Sequence, residues 1–152
     1  MTGRIEVIAQ DGVRYGMIVR AGPRTQPIEF FTPDGDSLQV GAFDLPARHA
    51  IKPHAHIPCE RNLNDTSEVL VIEAGVLQVD FYREDRVLVA TRRAHAGDIV
   101  ILIQGGHGFT VIEAVRMIEV KQGPYAGGGD KVRFEPRVVE AAAPAAKPGS
   151  GT

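Results

Sequence analysis

His54 and His56 stand two residues apart in the stretch HAHIPCERNLNDTSEVLVIEAG, which runs from His54 to Gly75. Residues two apart in an extended strand point to one face, so this spacing predicts two imidazoles converging on one point. Neutral imidazole is the commonest side-chain ligand of transition ions. Glu68 opens the apolar run EVLVIEAG, and His107 follows the bend Gln104-Gly105-Gly106. Two histidines from one strand, a carboxylate from a second and a distant histidine make a mixed four-donor set. Such a set suits Fe(II), Mn, Ni, Co, Cu or Zn better than Ca or Mg. Each residue also has an ordinary reading. A His pair at this spacing is often a surface feature, and an outward Glu68 is a strand-entry charge.

Other residues compete for these roles. Glu60 is a second candidate carboxylate, but it lies in the polar loop IPCERNLNDTS, where a solvated side chain is expected. Glu68 starts a strand, whose backbone holds it still. An inward carboxylate there needs a partner, and a metal ion is a good one. Cys59 is a soft donor in the same loop, whereas His49 and His95 fall in connections and are expected to face solvent. Catalysis needs an acid or base besides the ligands. Glu119, Tyr82, Glu60, Arg61 and Tyr125 are the candidates, with Glu119 and Tyr82 foremost. Glu119 sits mid-strand among apolar neighbours; its ordinary reading is an ion partner for an arginine such as Arg116 of a neighbouring chain.

Strands must position these groups. RIEVIA, the turn Gln10-Asp11-Gly12 and VRYGMIV predict a β-hairpin. Pro33-Asp34-Gly35-Asp36 predicts a turn, and LQVGAFDL a strand that leads through a connection to the two histidines. Residues 68–74 and 76–82 are expected to be two arms of a hairpin turning at Gly75. Leu77, Val79 and Phe81 share one face of the second arm. RVLVATRR, Ile99 to Ile103, the strand after His107 and VRMIEVK add four more, with a turn expected at Glu113-Ala114 and a small closing strand over Lys131–Phe134. No stretch keeps a 3.6-residue apolar period over three turns. Ten or more short strands with closely spaced turns predict an all-β sandwich or barrel.

With 152 residues the chain is expected to form one domain over residues 1–139, followed by an Ala/Pro/Gly-rich disordered tail over 140–152. The net charge of -2, with no compact Lys/Arg block, argues against nucleic acid as a partner. One cysteine excludes an internal disulfide and fits a reducing compartment. The N-terminal stretch shows no apolar signal core and no run reaches membrane-spanning length, so a cytoplasmic protein is expected. The glycines near residue 128 do not follow a strand and open a helix, which removes a dinucleotide-binding reading. Apolar residues on both faces of Ile99–Ile103 and Val69–Ile72 call for a second sheet or a second subunit, and a homodimer is expected.

Taken together these motifs resemble the cupin superfamily of small jelly-roll barrels (double-stranded β-helices). His54 and His56, then Glu68, then Gly75 six residues on, are similar to the first cupin motif. Gly97 and His107 are similar to the ends of the second, although the motif proline is missing and the spacer from His56 to Glu68 is longer than in the family. The resemblance covers about residues 38 to 122. It implies a divalent transition metal (Fe, Mn, Ni or Zn) on His54, His56, Glu68 and His107, and a small-molecule ligand in the barrel mouth. It implies either a metal-dependent oxygenase or isomerase acting on a carboxylate or sugar derivative, or a binding module without turnover. A metal-free sugar epimerase, with His54 or His56 paired to Asp65, is a further alternative. Fold alone does not choose among these.

Overall fold

The computed structural model describes residues 4–125 and 127–138. The 140–152 tail expected to be disordered lies outside the described residues. Eight strands follow one another: β1 (Ile5–Gln10), β2 (Val13–Val19), β3 (Ile28–Phe30), β4 (Gly41–Phe43), β5 (Glu68–Tyr82), β6 (Leu88–His95), β7 (Ile99–Leu102) and β8 (Gly106–Lys121). A short 3-10 helix over Gly127–Asp130 is the only helix among the described residues. Among the described residues no helix is long and apolar enough to cross a membrane.

The first hairpin forms where its turn chemistry puts it. Asp11 and Gly12 both take positive φ, at 52° and 77°, the paired left-handed geometry that matches strand twist. Asp36 N–H closes the Pro33 turn, and Asp98 N–H closes the turn at His95.

Two expected turns are not turns. β5 runs through Gly75 as one strand of 15 residues, and β8 runs through Glu113-Ala114 as one strand of 16. The register of β5 on β8 slips between Ile72 and Leu77, so both strands bulge and bend at one level. Gly75 has φ 80°, and a Cβ there would overlap the Ala114 carbonyl. A single left-handed glycine bends a strand; reversing it takes at least two loop residues. β6 and β7 lie end to end along the other edge of β5, with Gly97 at φ 87° between them. Three long antiparallel tracks therefore bend together.

The bend curls the sheet into a half-barrel. Leu102 pairs with Glu68 at one end of β5, and Gly106 pairs with Tyr82 at the other. Only Ile103–Gly105 connects them. Three intervening residues span at most about 14 Å, so the two ends of β5 lie within about 25 Å, against about 46 Å for a straight strand of that length. The sheet order is β1-β2-β7-β5-β6, with β8 on the free edge of β5. At the far side β1 approaches β6, and Glu6 takes ion pairs from both Arg20, just past β2, and Arg92 of β6. Arg20 also bonds Asp98, a buried carboxylate that accepts from Ala21 N–H and His95 N–H.

The concave face holds the main core, centred on Ile18, Leu70, Ile72, Leu77, Val79, Phe81 and Val100. Leu77, Val79 and Phe81 do share that face. Gly16 is small because a Cβ there would come within 2.5 Å of the Phe81 ring. The convex face carries a second cluster, in which Phe31 and Ala42 cover Met17, Val69 and Ile101. Residues of the β3–β4 region thus supply cover for the second face of β7 within the same chain. The extended path expected to carry His54 and His56 is absent: no helix or strand occurs from Asp44 to Ser67. Lys131–Phe134 is not a strand; the cover there is an irregular strap tied by a bridge between Val87 and Arg137.

Candidate functional site

The curl brings the first residue of β5 to the start of β8. Glu68 is buried at 7% exposure, although it borders a strand whose next residues are all apolar. Its Oε2 lies 3.2 Å from His107 Nε2. His107 lies opposite Phe81 in the β5–β8 register, and its side chain keeps 31% of its surface open. The hydrogen bond from His107 holds the Glu68 carboxyl below its usual range; burial opposes this, and the charges of His107, Lys131 and Lys121 add to it. A neutral His107 ring that turns Nε2–H to this carboxylate has Nδ1 as its basic nitrogen.

Around this pair opens a cleft of about 900 Å³. Its lining includes Glu68, His107, Tyr82, Lys121, Asp130 and Phe134. Lys121 lies opposite Glu68 in the register and bonds Asp130 Oδ2 at 2.6 Å. Tyr82, at the far end of β5, meets the Phe134 ring edge-on with centroids 5.4 Å apart. Burial and the charge of Asp80 push the Tyr82 phenol above its usual range, which keeps it a neutral donor. Asn64, Asp65 and Thr66, the end of the irregular loop, close one side.

Of the four expected donors the structure brings Glu68 and His107 together. His54 and His56 lie exposed on the Asp44–Ser67 segment, their rings 5.5 Å apart, with His54 Nδ1 3.0 Å from the Lys52 carbonyl. Neither lines the cleft. Among the described residues no three His, Cys, Asp or Glu side chains are grouped to hold an ion, so the four donors do not fit around one metal as the chain is arranged here. Glu60 and Cys59 are exposed in the same segment. Tyr82 reaches the cleft. Glu119 does not: it is exposed on β8, opposite Leu70. The imidazole–carboxylate pair that forms is His107–Glu68, and no such pair joins His54 or His56 to Asp65.

Sequence reasoning missed Lys121, Asp130, Lys131 and Phe134. Strand periodicity places Lys121 on the same face as Met117 and Glu119, a usable signal. Asp130 and Phe134 carried none, because the irregular strap that brings them to the cleft has no periodicity. Comparison with protein-family models, with curated proteins and with solved structures gives no match.

Proposed function

We propose that this half-barrel is a cupin-like small-molecule protein whose cleft takes a small polar or anionic molecule, such as a carboxylate or sugar derivative, and transfers a proton on it. The observation that carries this is the buried Glu68 carboxylate paired with a half-open His107 at the cleft. Glu68 orients the ring and stabilises the imidazolium formed when His107 Nδ1 accepts a proton. Tyr82 is a neutral hydroxyl donor on the same wall, suited to an oxygen that gains charge. Removal of a proton beside a carbonyl, with its return at the neighbouring carbon, is the isomerase-type reaction these groups serve.

A divalent transition ion is the second reading. It is favoured by the adjacency of Glu68 and His107, two of the four donors that the cupin motifs supply. It requires the His54–His56 segment to fold inward. The partner in either reading is a second copy of the chain. Among the described residues β8 pairs only with β5, leaving its other edge open beside the exposed Ile118 and Val120.

The test is a panel of small sugars, hydroxy acids and oxo acids, incubated with the protein in D₂O. Binding is read from the His107 ring signals and turnover from deuterium entering the small molecule. Exchange that is lost in His107→Gln is expected. A panel in which no member moves the His107 signals defeats the cleft as a binding site. Elemental analysis of untagged protein and of His54→Ala and Glu68→Ala decides the metal reading: near-stoichiometric ion lost in both supports it.

A further inference from the structure

Lys121 is a cation on the wall of this cleft, and a carboxylate of its own chain already occupies it. Its Nζ lies 2.6 Å from Asp130 Oδ2, and the two side chains keep only 17% and 15% of their surface open. Register places Lys121 opposite Glu68, at the end of the sheet where the His107 pair sits. Asp130 comes from outside the sheet. It rides on the strap formed by residues 127–138, which holds no strand and only one turn of 3-10 helix. The strap starts at Gly127, Gly128 and Gly129, where a Cβ would meet nothing within 4 Å. Free space and three successive glycines make that start a hinge. Beyond Asp130 the strap is held by Phe134, which packs on Tyr82 and Gly106, and by Arg137 N–H on the Arg86 carbonyl.

We infer that Lys121 is the docking group for a ligand carboxylate, and that Asp130 is its internal stand-in, displaced on binding so that the strap swings on Gly127–Gly129. This rests on the cleft being the small-molecule site. One carboxylate replaces another on Lys121, so the ammonium never loses a partner and the released Asp130 regains water. The exchange costs the strap its contacts at Phe134 and Arg137 and the charge interaction of Lys131 with Glu68. Coupling of this kind is reciprocal: a ligand that frees the strap binds more tightly once the strap is already free.

The experiment uses the full chain with succinate as the probe and sodium chloride of equal ionic strength as the control. Binding is followed by the His107 ring signals. Strap release is followed by tryptic cleavage after Lys131 and Arg133, both exposed. Succinate is expected to shift His107 and to speed cleavage by about fivefold or more, the lower end of ordinary coupling. Asp130→Asn should cleave at the faster rate without succinate and bind succinate about fivefold more tightly. Phe134→Ala, which loosens the strap without touching the ion pair, should shift both in the same direction. Lys121→Met should abolish succinate binding. A His107 shift with cleavage unchanged or slowed overturns the inference, as does an Asp130→Asn variant with wild-type succinate affinity. If arabinose moves His107 and succinate does not, the cleft remains the small-molecule site and Lys121 is not its carboxylate dock.

Discussion

Glu68 shows how one side chain ties stability to chemistry. Its carboxyl is held below the usual range by the bond from His107, so it takes up a proton more readily unfolded than folded. The stability it contributes is complete above the unfolded carboxyl pKa of about 4.3 and is lost as pH falls through the lower folded value. Urea melts at pH 7 and pH 3 should therefore show a smaller acid loss in Glu68→Gln than in wild type. At pH 7 that variant should cost about 1–3 kcal/mol, since His107 keeps a donor beside a weaker acceptor. An equal acid loss in both proteins removes the assignment. Asp98 is the other buried carboxylate, and it works differently. Its three donors come from the β2 end and the β6–β7 turn. Asp98→Ala should cost about 2–4 kcal/mol with no change in the His107 signals, because it strips two N–H groups of their acceptor and leaves the half-buried Arg20 guanidinium with Glu6 as its ion partner.

Among the elements, the shared bend of β5 and β8 decides the site. Without it Glu68 and His107 would stand near opposite ends of a long flat ribbon. Gly75 is the weak point, because its φ of 80° and the Ala114 carbonyl both exclude a side chain. Gly75→Ala should lose at least about 2 kcal/mol, combining left-handed strain with the backbone overlap. Gly128→Ala meets open space and should stay within about 0.5 kcal/mol of wild type. Thermal melts of the pair separate a structural glycine from a permissive one. A tolerated Gly75→Ala would mean that the bend is held by other contacts.

At the level of the whole molecule β8 carries more exposed large apolar side chains than any other described strand: Phe109, Val111, Ile112, Ile118 and Val120. Phe31, with Ala42 of β4, covers Val69, Ile99 and Ile101, which supplies apolar cover for that face within one chain. That cover does not account for Ile118 and Val120, which are 50% and 53% exposed on the edge strand. An open edge beside apolar side chains is a template for pairing. Sedimentation at micromolar protein should return twice the chain mass of 16.4 kDa, and Val120→Lys should return the single chain. A wild-type monomer at that concentration ends the homodimer proposal.

Local chemistry in the sequence determined the hairpin at Asp11-Gly12, the turns at Pro33 and His95, the alternation of Leu77, Val79 and Phe81, and the all-β class. Each depends on neighbours a few residues apart, through backbone preference or strand period. Glu68 and His107 were also legible as a pair of interest, since a carboxylate at the head of an apolar strand needs a partner. The tertiary structure alone decided which partner. Whether Gly75 reverses a strand or bends it depends on what lies beside it, and the Ala114 carbonyl lies 39 residues away in sequence. The spacing of His54 and His56 predicts a shared face only on a strand, and no ladder forms there to impose that geometry. Lys121, Asp130 and Phe134 meet through curl and strap, which are sums of many small twists and contacts that no short stretch encodes.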